Sequence, residues 1–257
     1  MSDENKSMHD FDFILLGEYF ASLDRQGPGS PEVTKKALSF IDNLNEDSKI
    51  ADIGCGTGSQ TLILAEKTTG KITGIDLMPT FVDMFNKRIE QLNLNDRLNC
   101  KEGSMEDLPF EKEELDLIWS EGAIYNIGYQ SGLEEWQKLL KPGGFIAVSE
   151  ASWFTDEQPD EIKDFWNMEY PEIDTIPNKV RQMQEAGFVP VATFIIPNEC
   201  WTKHYYEPQV EAQKQFLEKY PGNETAKDLV RSMVVEAELF DKYHQYYGYA
   251  FFIGKKI

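Results

Sequence analysis

Basic residues, histidines and cysteines are scarce in this sequence, and each scarcity narrows what the chain can do. Lys and Arg number 25 against 45 Asp and Glu, a formal charge of −20. Nucleic acid is bound through Lys and Arg that displace phosphate counterions, so this balance argues against a nucleic-acid partner. Cys55, Cys100 and Cys200 lie far apart with no Cys-x-x-Cys pair, which argues against a disulfide framework or a zinc knot. His9, His204 and His244 share no paired spacing on a helix face, and no metal site is expected. The longest nearly apolar stretch, Phe188 to Ile196, falls well short of the roughly 20 residues that span a bilayer. The amino-terminal MSDENKSMHD lacks the basic-then-apolar order of a secretion signal. The expectation is a cytoplasmic protein without membrane insertion. A 41% apolar and 12% aromatic content is enough to build a core.

What is present is a regular alternation. Lys49–Ile53, Lys71–Ile75, Leu98–Glu102, Leu115–Trp119 and Phe145–Ser149 read as short strands. Between them lie helical patterns: Leu62, Leu64 and Ala65 in one, and Phe81, Phe85, Ile89 and Leu92 in another that has Pro79 near its start. Leu133, Trp136, Leu139 and Leu140 form the apolar face of a third, which Lys141-Pro142-Gly143-Gly144 would stop. Strands alternating with helices imply βαβ units and a parallel sheet. Upstream, Phe11 to Leu23 is a helix candidate, and Ser30-Pro31 has the order of an N-cap and first turn. Downstream, Val189–Ile196 and Tyr246–Ile253 are rich in β-branched and aromatic residues, as strands are. The intervening 198–245 contains helical patterns at Val210–Leu217 and Leu229–Phe240, and reads as an inserted helical cap.

Asp52-Ile53-Gly54-Cys55-Gly56-Thr57-Gly58 ends the first strand and opens a helix. Glycines at such a bend permit positive φ and close ligand approach, while the helix start offers free N–H groups. The spacing is Gly-x-Gly-x-Gly, whereas the dinucleotide fingerprint is Gly-x-Gly-x-x-Gly, and no phosphate-loop lysine follows. Asp52 at the mouth would repel a pyrophosphate and favour a cationic ligand. Asp76, at the tip of the second strand, can accept both hydroxyls of a ribose.

These residues resemble the S-adenosylmethionine-dependent methyltransferases of the seven-strand, Rossmann-like class. Asp52–Gly58 is similar to the family's glycine-rich first motif and Gly74–Asp76 to its ribose acid. Gly103–Phe110 resembles the loop that borders the adenine, with Ser104 where many relatives carry Asp. Leu115–Glu121 is similar to the fourth strand, and Leu140–Gly144 to the turn before the fifth. The LPF and LKPGG segments look most like the ubiquinone and menaquinone C-methylases.

The resemblance implies an α/β fold with a mostly parallel seven-stranded sheet, a reversed last strand and helices on both faces. Residues 48–197 and 246–257 would be the methyltransferase core, 1–47 an amino-terminal helical lid, and 198–245 the cap between the last two strands. It implies S-adenosylmethionine as donor, S-adenosylhomocysteine as product and a small-molecule methyl acceptor. The donor would touch Asp52, Gly54, Cys55, Gly56, Gly58, Asp76, Leu77, Ser104, Met105 and Ser120, with Tyr19 and Gln26 folding over from the lid. Glu121 and Tyr125 would face the acceptor, or merely start a helix. His204 would be a base in the cap, or a packed residue. Trp153 and Phe154 would line a pocket or plug the core. The cap could equally serve as a homodimer surface. An NAD-dependent oxidoreductase and a non-catalytic S-adenosylmethionine-binding protein are the alternatives.

Overall fold

A computed structural model describes residues 12–257; His9 and the start of the amino-terminal segment lie outside the described residues. The chain runs α1 (Phe13–Ala21), α2 (Pro31–Leu38), β1 (Lys49–Ile53), α3 (Ser59–Lys67), β2 (Lys71–Asp76), α4 (Pro79–Gln91), β3 (Leu98–Glu102) and β4 (Leu115–Glu121). It continues through α5 (Tyr129–Gln137), β5 (Leu140–Trp153), α6 (Asp160–Glu169), β6 (Asp174–Thr175), α7 (Ile176–Glu185) and β7 (Phe188–Ile195). The last elements are α8 (Glu199–Trp201), α9 (Glu207–Lys219), α10 (Glu224–Tyr243) and β8 (Tyr247–Lys256).

The strands form one sheet in the order β3-β2-β1-β4-β5-β8-β7, with the two-residue β6 beside the end of β5. β1 to β5 pair in parallel, whereas β8 runs antiparallel to both β5 and β7. The chain thus winds one way from β1 to β3 and the other way through β4 and β5. Between β1 and β4 the winding direction switches, and open α/β sheets form a crevice there at the strands' carboxyl ends.

Successive residues of each strand enter different halves of the core, as the two-residue period of a strand requires. Ile50 and Leu117 join one apolar cluster with Val33 and Ala37 of α2, Leu64 of α3 and Phe85 of α4. Ala51, Ile53 and Ile118 join the other, with Leu133 and Trp136 of α5 and Met183 of α7. Local signals set several boundaries. Ser30 accepts from the Val33 N–H and Pro31 opens α2, and Asn223 caps α10 by accepting from the Ala226 N–H.

One expectation is corrected here, and two features are added that the sequence did not show. α5 ends at Gln137, and Lys141–Gly144 lies within β5 with Gly143 at φ +80°. Leu140 pairs with Leu115 in the sheet before the register shifts, so the β4 partner pulls Leu140 out of the helix. Secondly, residues 160–185, without an assignment from the sequence, form α6, β6 and α7. Thirdly, β6 adds an eighth strand to the expected seven.

Candidate active site

A cavity of about 580 Å³ lies at the carboxyl ends of β1, β2, β4 and β5. Its floor at one end is the glycine turn. Gly54 and Gly56 take φ of +72° and +56°, and a Cβ on Gly56 would stand 2.2 Å from the Gln26 side-chain oxygen. Only glycine allows that approach. The Asp76 carboxylate stands beside the turn. It accepts from the Gly56 N–H at 2.8 Å and from the Met78 N–H at 2.9 Å, so one side chain ties the β1 turn to the start of α4. Burial pushes the Asp76 carboxyl up. Gln26 closes over from the amino-terminal side: its oxygen accepts from the Thr57 N–H at 3.0 Å, and its amide donates to the Phe20 and Leu23 carbonyls. Leu77, Ser104, Met105 and Cys55 complete this end.

The other end is aromatic. Tyr125, Phe165, Trp166, Tyr170, Trp201, Tyr205 and Tyr249 line it, together with Glu169 and Glu236. Glu236 accepts from the Tyr206 hydroxyl at 2.9 Å. Burial, reinforced by repulsion from Glu169, pushes its carboxyl up to about 7. Beneath Tyr170 is a buried charge pair. Lys179 donates to the Tyr170 hydroxyl at 2.9 Å and lies 3.5 Å from Glu150, both side chains being fully enclosed. Burial pushes Glu150 up and Lys179 down. This pair fixes the Tyr170 ring as a wall of the cavity.

Of the residues singled out in the sequence, Gly54, Cys55, Gly56, Asp76, Leu77, Ser104, Met105, Gln26, Glu121 and Tyr125 line this one cavity. Glu121 is already occupied. Its oxygens accept from Arg25 at 2.5 Å, Thr34 at 2.6 Å and the Trp119 indole at 3.0 Å. That arrangement makes it an anchor for the amino-terminal loop, with both oxygens engaged. Burial pushes the Tyr125 hydroxyl up to about 12.

The remaining candidates stand behind the wall. Asp52 is fully buried and accepts from the Thr61 hydroxyl at 2.5 Å. Gly58 backs onto Phe85, and Ser120 donates to the Ile53 carbonyl at 2.8 Å. Tyr19 donates to Gln209 at 2.8 Å and so pins α1 to α9. His204, in a π-helical turn between α8 and α9, and Trp153, buried against Tyr247, do not line the cavity. Among the described residues no group of three or more His, Cys, Asp or Glu side chains could hold a metal ion.

The sequence offered no signal for Glu236, Glu169, Trp166, Tyr170 or Arg25. They come from α6 and the residue that follows it, α10 and the amino-terminal loop, and meet only in the folded chain.

Comparison with known proteins agrees with the glycine end of the cavity. Residues 50–144 match the family model described as a methyltransferase domain. An erythromycin 3''-O-methyltransferase of Saccharopolyspora erythraea is 29% identical over 58% of this chain and 49% of that protein. A phosphoethanolamine N-methyltransferase of Plasmodium falciparum is 28% identical over 85% of this chain and 81% of its own length. A ubiquinone/menaquinone biosynthesis C-methyltransferase of Geotalea daltonii is 32% identical over 41% of the chain and 46% of that protein. The match thus spans about half the length of two of these three relatives. Among solved structures, a Geobacter sulfurreducens S-adenosylmethionine-dependent methyltransferase in complex with S-adenosylhomocysteine superposes with a TM-score of 0.83. The superposition covers 96% of this chain and 99% of that one, at 18% identity.

Proposed function

From the premise that residues 50–144 are a methyltransferase domain, we propose that this chain transfers the methyl group of S-adenosylmethionine to a small-molecule acceptor by in-line displacement. The observation that carries the reading is continuity. The Asp76-and-glycine pocket and the aromatic chamber are two ends of one cavity, so donor and acceptor would meet without crossing a wall. A volume of about 580 Å³ lies within the range of roughly 300–1,000 Å³ usual for small-molecule sites.

The residues at the glycine end fit the donor. Backbone at Gly54 and Gly56 stands where a Cβ would intrude, and the Asp76 carboxylate at the second strand tip is placed to accept from a ribose diol. S-adenosylmethionine supplies a methyl group on a sulfonium that departs as a neutral thioether. The protein's task is then mainly positioning, which can lower a barrier by roughly 7–11 kcal/mol. Phe13, Leu16, Phe20 and Gln26 bring α1 and its following loop to the cavity, while Trp201, Tyr205 and Glu236 bring the 198–245 helices. We read the first as the lid and the second as the cap that together keep water out. Among the described residues no helix is long and apolar enough to cross a membrane; the acidic, cysteine-poor composition supports a cytoplasmic setting.

Thermal unfolding with S-adenosylmethionine, S-adenosylhomocysteine and NAD in turn tests the proposal. A ligand at 100 times its Kd stabilises by about 2.7 kcal/mol. Both adenosyl ligands should raise the melting temperature, and Asp76→Ala should remove most of that rise. A melt moved by NAD alone would overturn the assignment. Release of S-adenosylhomocysteine in the presence of acceptor separates turnover from mere binding.

A further inference from the structure

The two ends of the cavity meet just past the end of β4. A Cβ on Gly54, in the turn at the glycine end, would collide with the Ala123 side chain. One residue before Ala123, Gly122 takes φ +63°, and a Cβ there would stand 2.8 Å from Cε2 and 3.3 Å from the hydroxyl oxygen of Tyr249. All four residues line the cavity. A side chain at Gly122 would push the phenol away, and glycine lets its hydroxyl end come up against the strand tip.

Tyr249 is held in this position from several sides. In β8 it pairs with Ala151 of β5, and its carbonyl accepts from the Ile196 N–H at 3.0 Å. Its ring meets Trp201 edge to face, with centroids 4.8 Å apart. Burial pushes the Tyr249 hydroxyl up, so the phenol stays neutral and its oxygen keeps a proton. The Tyr170 hydroxyl, on the same wall, is engaged by Lys179. Among the described residues no hydrogen bond engages that of Tyr249.

We propose that the phenol oxygen of Tyr249 touches the methylsulfonium of S-adenosylmethionine, where the glycine end opens into the aromatic end. The inference rests on the methyl-transfer reading of the site. A methyl group that passes from one end to the other must face this junction, because residues of both ends touch each other there. The sulfonium charge makes the methyl hydrogens electron-poor, and an oxygen lone pair attracts them as a weak hydrogen-bond acceptor. Burial strengthens that attraction relative to water. S-adenosylhomocysteine lacks both the methyl group and the charge. Tyr249 thus favours the donor over its spent product, and helps the site exchange one for the other.

Tyr249→Phe removes the oxygen and keeps the ring against Trp201. Isothermal titration of the full chain and of this variant with S-adenosylmethionine and with S-adenosylhomocysteine gives a Kd for each pair. The variant should bind S-adenosylmethionine about two- to fivefold more weakly and S-adenosylhomocysteine as before. A purely structural role would move both affinities together. An unchanged ratio of the two Kd values, whether both rise or neither does, would overturn the contact while the methyl-transfer reading stands. Failure of both ligands to bind the unsubstituted chain would instead remove the methyl-transfer reading, and this contact with it.

Discussion

Replacing Asp52 by Asn should alter the way stability depends on pH more than stability itself. Asp52 is fully buried behind the glycine turn, one oxygen accepting from Thr61 and the other, Oδ1, without a hydrogen-bond partner. Burial, with repulsion from Glu121 and Asp76, pushes its carboxyl up from 3.8 to about 7. The folded chain therefore binds this proton more tightly than the unfolded chain between those values. Stability from this group is complete below about pH 4 and is lost as pH rises through about 7. About three pH units of difference at roughly 1.36 kcal/mol each amounts to about 4 kcal/mol over the whole window. Asn stays neutral throughout. It can still accept from Thr61, but its buried amide donors would lack acceptors, a constant cost of about 1–3 kcal/mol. The two stability curves should cross. The variant is expected to be the weaker at about pH 4 and the stronger at about pH 8. Urea denaturation of both proteins across this range, without ligand, gives the difference directly, since titrating groups that do not interact with Asp52 cancel. A difference that stays constant within about 0.5 kcal/mol, the usual scatter for independent effects, would refute the claim that Asp52 is held in its neutral form.

Other perturbations test separate parts of the site. Gly58 has φ +89°, and a Cβ there would stand 2.1 Å from the Phe85 ring; strain and overpacking together should make Gly58→Ala less stable by about 2–5 kcal/mol in a thermal melt. A loss below about 1 kcal/mol would mean that the turn relaxes freely. Glu121→Gln leaves the Arg25 guanidinium, only 10% exposed, without its countercharge. It should cost about 3 kcal/mol and speed amide exchange across residues 22–30; unchanged exchange would show that the loop is held by other contacts. Cys55, Cys100 and Cys200 are all buried, and burial pushes the Cys55 and Cys200 thiols up. The native protein should leave all three unreacted with a maleimide on the timescale at which the denatured chain is fully labelled. Rapid native labelling of Cys55 would point to an open glycine turn.

Short-range chemistry was readable without the fold. The limits of β1 and β3, the Ser30 cap with Pro31 behind it, and the glycine bend with Asp76 at the next strand tip all appear in the sequence as the structure has them. All but the last depend on residues within a few positions of one another, or on a two-residue or helical period, and such signals survive without tertiary contacts; Asp76 lies twenty residues past Gly56 and is placed by the strand–helix–strand order. Lys141–Gly144 marks where this stops being true: the helix-stop pattern lies within a strand, in the register shift between the Leu140–Leu115 and Phe145–Leu117 pairs with β4. The role of Asp52 also changed, since only the packing of α3 against β1 puts Thr61 where it captures the carboxylate. Apart from Tyr125, the aromatic end of the cavity was decided by tertiary structure. Glu236 is one acid among several on α10, and Glu238 and Asp241 nearby are exposed, so charge alone could not single it out. Its hydrogen bond from Tyr206 in the π-helical turn and its place in the cavity wall do so, and neither leaves a mark along α10. Loop and helix faces separated by up to two hundred residues carry no local mark of what they will face, because that is set by how the layers dock.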